Sequence, residues 1–168
     1  MKPPTPDFYS ILENLLKYKV DFIIVGGVCG VLHGAPVTTF DLDIVHSRTQ
    51  ENLARLFPAL VELDAYYRGR QDQRLKPKLD HLASPGHHLL MTRFGPLDLL
   101  GTIAGGHSYP DLLEHSDEIE IGKKRVRILS LEKLIEVKEE LGSEKDKATL
   151  PVLKQTLLEK RKRRGREK

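Results

Sequence analysis

The chain has 168 residues, 39% of them hydrophobic and 30% charged, which predicts one compact domain with its own core and excludes two full domains. No run approaches the roughly 18 apolar residues of a membrane span, the N-terminus lacks a charged-then-apolar leader, and the single cysteine, Cys29, has no internal disulfide partner, so a cytoplasmic protein without a membrane partner is expected. The formal charge of +3 is uneven, because residues 154–168 carry eight basic and two acidic side chains, a local +6 that leaves −3 for the remainder and speaks against a surface that grips nucleic acid all over.

Thr5 followed by Pro6 predicts a helix start, with Thr5 as N-cap and Phe8, Ile11, Leu12, Leu15 and Leu16 at helical spacing behind it. Residues 22–25 form a short apolar run ending at Gly26-Gly27, which reads as a buried strand, a tight turn and then a brief helix from Val28 to His33 closed by Gly34. Asp41 to Val45 alternates polar and apolar residues and is predicted as a second strand with both carboxylates on one face. A helix from Thr49 to Leu63 is expected to be interrupted or bent near Pro58. Residues 66–87 read as a long basic loop, since Arg68, Arg70, Arg74, Lys76 and Lys78 outnumber the acids and Pro77, Pro85 and Gly86 break regular structure.

Two hairpins follow in the reading, one from His88 to Leu100 turning at Gly95-Pro96 and one from Glu118 to Leu129 turning at Gly122-Lys123. Between them the glycine-rich stretch from Gly101 to Gly106 reads as a turn, and Ser108 caps a short helix through His115. Ser130 caps a helix to Leu141 that stops at Gly142, and a last helix runs from Lys147 or Thr149 to about residue 160. The fold class is α/β in the α+β sense: a small mixed sheet flanked by helices, with helices at the C-terminus. One domain spans 1–160, and 161–168 form a basic, disordered tail, read as a solvated helix end that frays or as an RNA or phosphate contact.

Three features carry chemistry together: Gly26-Gly27 at a strand end, the pair Asp41-x-Asp43, and Asp98 isolated inside an apolar strand. A carboxylate between Leu97 and Leu99 is costly to bury unless something positive meets it. Side chains two apart on a strand project from one face about 7 Å apart at Cα, so two carboxylates can converge on one hard cation and a third from a neighbouring strand can complete the cage. Mg²⁺, or Mn²⁺ in its place, keeps waters and favours phosphate oxygens as co-ligands, which makes a nucleotide the natural partner. Glycines without a Cβ let backbone approach such a ligand closely, and N–H groups opening a helix favour phosphate. The spacing fits neither the dinucleotide fingerprint nor the P-loop.

Val25-Gly26-Gly27, then Thr39-x-Asp41-Leu42-Asp43, then Leu97-Asp98-Leu99 resembles the polymerase-β-type nucleotidyltransferase superfamily, and the segment 129–138 is similar to its small single-domain members, the minimal nucleotidyltransferases and AbiEii-like toxins. The motif covers about residues 20–100 of the chain. The resemblance implies that Gly26 and Gly27 hold the triphosphate, that Asp41 and Asp43 hold metal, and that Asp98 holds the catalytic metal or accepts the acceptor's proton. Val28 stands where many members carry Ser, which removes a hydroxyl contact to phosphate. The implied reaction moves NMP from an NTP such as ATP to a hydroxyl on RNA, protein or a small molecule and releases pyrophosphate.

Other candidates are secondary. Lys138 falls within the apolar stripe of its helix and must snorkel or meet an anion, with a nucleotide phosphate in reach. Lys145-Asp146 is similar to a Lys-Asp pair found after this helix in relatives, and is equally read as exposed loop. Arg68, Arg70 and Arg74 are candidates for phosphate or acceptor binding, with Tyr66 or Tyr67 stacking on a base, against the reading of a solvated loop. Thr39 is expected to support the metal site. His87-His88 lacks zinc-like spacing, and adjacent strand residues point oppositely. The rival readings are a non-catalytic nucleotide-binding or antitoxin-like module acting through a partner protein, and a glycosyltransferase using D-x-D. The intact set of aspartates opposes the first; the glycines ahead of the aspartates and the short chain oppose the second.

Overall fold

The computed structural model describes residues 6–69 and 74–166. Its first helix, α1 (Phe8–Lys17), buries Ile11, Leu12 and Leu15 and is capped by Asp7, whose carboxylate accepts from the Ser10 N–H at 3.1 Å. The expected cap, Thr5, lies outside the described residues. Asp7 takes the role because its own N–H donates to the Phe94 carbonyl at 2.7 Å, which holds it and the preceding Pro6 outside the helix.

Strand β1 (Phe22–Val25) runs directly into helix α2 (Gly26–Leu32), so the glycines open the helix and no separate turn intervenes. Gly34, at φ +93°, follows the helix end as expected. Strand β2 (Leu42–His46) is followed by helix α3 (Gln50–Glu62), whose N-cap Thr49 accepts from the Asn52 N–H. The helix continues through Pro58 without interruption, and the Leu63 N–H still closes on the Ala59 carbonyl at 3.0 Å. One missing backbone donor near a helix end is offset by the burial of Leu56, Ala59 and Leu60.

The expected long loop is partly ordered. Strand β3 (Tyr66–Tyr67) pairs with strand β4 (His87–Thr92), and a single 3₁₀ turn, His81–Ala83, buries Leu82 completely. The buried His46 ring accounts for the anchorage, with its Nε2–H donating to the Leu82 carbonyl at 3.0 Å. Strand β5 (Gly95–Leu100) pairs with β4 from Thr92 opposite Gly95, which moves the hairpin turn to Arg93-Phe94. Gly95 serves as the exit from that turn, at φ +133°, and not as its centre.

The short strands β6 (Thr102–Ile103) and β7 (His107–Ser108) form a separate two-stranded pair across the expected glycine-rich turn. Helix α4 (Tyr109–Leu113) carries a Ser108–Asp111 capping box, and β8 (Ser116–Ile121) pairs with β9 (Lys124–Leu129) around Gly122-Lys123. Helix α5 (Leu131–Leu141) is capped by Ser130 and stopped by Gly142 in the left-handed region. Helix α6 (Glu144–Arg166) starts earlier and ends later than its expected bounds. Its far end is tied down where Lys160 Nζ donates to His33 Nδ1 at 2.6 Å while His33 Nε2–H donates to the Leu129 carbonyl at 2.7 Å, so the basic run 161–166 continues a docked helix.

The seven strands lie in the order β3-β4-β5-β2-β1-β9-β8, with β1–β9 and β2–β5 parallel and the other neighbours antiparallel. All four residues of β1 are buried, as befits a central strand covered on both faces. Strand β4 alternates: His88, Leu90 and Thr92 are buried whereas His87 and Leu89 are exposed. The sheet is therefore covered at its centre and open on one face toward β3 and β4. Among the described residues no helix is long and apolar enough to cross a membrane.

Candidate active site

Register brings the three aspartates together. Asp43 sits opposite Val25 on β1 and opposite Asp98 on β5, and Asp41 lies immediately before β2. One carboxylate oxygen from each of Asp41, Asp43 and Asp98 falls within 4.8 Å of the others. Asp43 Oδ1 is buried with no hydrogen-bond partner, a costly state for a carboxylate unless a cation completes it. Burial foremost, then the neighbouring Asp98 carboxylate and hydrogen bonding to it, then Asp41, push the Asp43 carboxyl up to about 7, with Lys138 opposing. An all-oxygen cluster of three carboxylates matches the preference of a hard divalent cation, and the unpartnered Asp43 oxygen is one that such an ion would satisfy.

The two glycines are required by these neighbours. At Gly26, φ is +70° and a Cβ would collide with the Asp43 carboxylate, lying 3.0 Å from its Cγ. At Gly27 a Cβ would lie 2.6 Å from Thr39 Oγ1 and 2.7 Å from Thr39 Cβ. Thr39 in turn donates its hydroxyl to the Asp41 carbonyl at 3.1 Å, fixing the approach of the chain to Asp41 and Asp43. Close packing of helix start, Thr39 and Asp43 is thus a structural reason for Gly26-Gly27 that the sequence did not display.

An open cleft of about 540 Å³, the solvent at its mouth included, adjoins the cluster. Gly26, Gly27, Thr39, Asp41 and Asp43 form one wall, and Lys138, Lys145 and Thr149 face them from α5 and α6. Val37, Leu134 and Leu153 supply apolar surface, and Phe40, 70% exposed, also lines the cleft. Lys138 meets an anion: its Nζ lies 3.0 Å from Asp146 Oδ1. Asp146 is buried, which raises its carboxyl, but hydrogen bonds from Ser143 and the Lys138 ammonium outweigh this and hold it below the usual range. Asp146 is therefore an anchor inside the fold, and Lys145, although exposed, lines the cleft; both lie in the first turn of α6 and not in a loop.

Of the described candidate arginines, neither Arg68 nor Arg74 lines that cleft. Arg68 Nη2 lies 2.8 Å from Asp98 Oδ1, and its Nη1 donates to the Leu90 carbonyl at 2.6 Å. Arg74 stacks over Tyr66, 5.2 Å from the ring centroid, and Tyr67 hydroxyl pairs with His88 Nδ1 at 2.8 Å, so neither tyrosine is placed as a free base platform. Arg70 lies outside the described residues. Phe40, Val37 and Thr149 were not singled out for the cleft by sequence reasoning, and only the position of Phe40 directly before Asp41 offered a signal; Asp146 was noted through the Lys145-Asp146 pair, without its bond to Lys138.

No protein-family model matches the chain. No curated protein matches it either. Solved structures do: a lincosamide antibiotic adenylyltransferase, LnuA, with lincomycin bound, aligns at TM-score 0.58 and 15% identity over 88% of this chain and 94% of that one. TM1012 of Thermotoga maritima, described as a nucleotidyltransferase by inference, aligns at TM-score 0.55 and 18% identity over 86% of this chain and 88% of its own. At these identities the likeness concerns architecture, and on that ground the chain has a nucleotidyltransferase-type fold.

Proposed function

We propose that the protein is a divalent-metal-dependent nucleotidyltransferase that moves NMP from an NTP, with ATP the first candidate, to a hydroxyl acceptor and releases pyrophosphate. The observation that carries this reading is the buried, unpartnered Asp43 Oδ1 within a three-carboxylate cluster on the wall of a cleft. Asp41, Asp43 and Asp98 would hold Mg²⁺, which when bound offsets charge on phosphate oxygens and activates an oxygen nucleophile. Gly26 and Gly27 leave backbone open to phosphate, and Lys138, steadied by Asp146, together with Lys145 brings positive charge to the opposite wall. The acceptor oxygen bonds to the α-phosphorus, the bridging oxygen to the β-phosphate leaves with pyrophosphate, and the hydroxyl proton passes to carboxylate, for which Asp98 is the candidate.

The test incubates the protein with each α-labelled NTP, Mg²⁺ and a cell extract. Label entering an acceptor fraction with wild type, and about 100-fold or more reduced with the Asp41→Ala/Asp43→Ala double variant, is the expected result. Equal labelling by both proteins overturns the reading.

A further inference from the structure

The third carboxylate of the cluster already has a cation. Arg68 Nη2 lies 2.8 Å from Asp98 Oδ1, and both side chains are largely buried, at 26% and 12% exposure. Among the described residues no other ion pair reaches Asp41, Asp43 or Asp98, and Lys138 across the cleft is committed to Asp146. Arg68 is itself fixed at two points: its backbone N–H donates to the Leu89 carbonyl at 3.0 Å, and its Nη1 to the Leu90 carbonyl at 2.6 Å. Asp98 Oδ1 nevertheless accepts no hydrogen bond, so its contact with Arg68 is charge on charge and leaves the oxygen without a directed partner. On its far side Arg68 borders a groove of about 1040 Å³, open solvent included, with Leu89, Lys76 and Lys78, which gives the side chain room to withdraw.

Two electrostatic demands meet at Asp98. Three carboxylates whose oxygens lie within 4.8 Å repel one another when no ion is bound, and a guanidinium at one of them offsets that repulsion. A divalent ion bonded to Asp98 Oδ1 at the usual distance of about 2.1 Å, however, would stand within about 5 Å of the same guanidinium, where like charges oppose each other strongly. An ion at Asp41 and Asp43 meets no such paired cation on its ligands. We infer that Arg68 is a positioning residue that acts as the resident counter-cation of Asp98. It keeps the third carboxylate in the cluster of the ion-free protein, and it confines a divalent ion bound without nucleotide to Asp41 and Asp43. Asp98 becomes a ligand only when phosphate oxygens bring further negative charge to the site. The inference rests on the reading of the three aspartates as a metal site.

The experiment titrates the full chain with Mn²⁺ in the absence of nucleotide and reads free Mn²⁺ by electron paramagnetic resonance, with melting temperature followed in EDTA and in Mn²⁺. Wild type is expected to bind a single Mn²⁺. Arg68→Met, which keeps an apolar stem and removes the charge, should melt lower in EDTA yet bind Mn²⁺ at least about tenfold more tightly. Arg68→Lys, which keeps a charge, should stay within about threefold of wild type. Asp98→Asn/Arg68→Met removes the pair together at unchanged net charge, and should fold and bind Mn²⁺ within about threefold of wild type. An arginine that only supported the fold would weaken Mn²⁺ binding when lost. Arg68→Met binding Mn²⁺ no more tightly than wild type, Arg68→Lys binding as tightly as Arg68→Met, or a loss of about tenfold or more in the double variant therefore overturns the inference. If Arg68→Met alone fails to fold, the double variant still decides. No Mn²⁺ binding by wild type removes the metal site, and both readings with it. Mn²⁺ binding in the expected order with no Asp43-dependent labelling of any acceptor removes the transferase reading alone.

Discussion

On the β1 side of the carboxylates the groups are partly buried and held in fixed pairs: Lys138 by Asp146, Thr39 by the Asp41 carbonyl, Gly26 against Asp43. On the β4 side they stand on an exposed strand face, with Arg68 the main link back to Asp98 and a groove larger than the cleft. A site that must recognise one invariant group, a triphosphate, gains from rigid walls that leave little to reorganise. A site that admits a long or variable partner gains from an open face. The difference teaches that the tolerance of this molecule to substitution should fall sharply between its two flanks.

The largest effect is expected from Gly26→Ala. Alanine at φ +70° is strained, and its methyl would occupy the space of the Asp43 carboxylate. We expect at least about 2 kcal/mol lost in urea unfolding together with nearly complete loss of labelling, whereas Leu89→Ala on the open flank should unfold within about 0.5 kcal/mol of wild type. Comparable losses at both positions would break the contrast. Next in size, Lys138→Met leaves Asp146 buried without its ammonium and should cost about 2 kcal/mol. It should also raise the KM for NTP about tenfold. Adding Asp146→Leu should restore stability without restoring KM, which separates the anchor from the phosphate contact.

The strands that carry the site, β1, β2 and β5, and the aspartates were legible in the sequence because their signals are local, whereas the short strands β3, β6 and β7 were not. Asp41-x-Asp43 needs only the two-residue period of a strand, and Asp98 is conspicuous between leucines. Their convergence follows once β2 and β5 pair with Asp43 opposite Asp98. The partners of Arg68 and Lys138 were not legible. Arg68 reaches Asp98 from thirty residues away through the β3–β4–β5 order, and nothing in a basic run says which arginine will pair. Gly95 was misplaced because a glycine leaving a turn carries the same composition signal as one at its centre. Helix α6 was cut short because its last turns have no apolar period, and the contact from Lys160 to His33 that holds them spans most of the chain.

The smallest net effect is expected in the wild-type protein, from a pair of opposed pH slopes. Burial and the Asp98 carboxylate raise the Asp43 carboxyl to about 7, so its proton stabilises the metal-free fold at low pH and that stability is lost as pH rises from about 4 to about 7. Burial lowers the His46 imidazole to about 4, so its contribution is present above about 6.5 and is lost as pH falls toward 4. Each slope amounts to at most about 1.4 kcal/mol per pH unit, and between pH 4 and 6.5 they offset. Asp43→Asn should therefore expose a stability that rises with pH in that window, and His46→Gln one that falls. Denaturant unfolding at half-unit pH steps in EDTA reads both, and identical profiles for the two variants would contradict the assignment of these groups.

The central claim is best tested by anomalous diffraction from crystals grown with Mn²⁺ and a non-hydrolysable ATP analogue. The account predicts an anomalous peak within about 2.5 Å of carboxylate oxygens of Asp41 and Asp43, on the side facing Asp98, with the analogue's phosphates in the cleft beside Gly26 and Lys138. Phosphates bound elsewhere, or a well-ordered analogue in the cleft with no metal at the three aspartates, would contradict it.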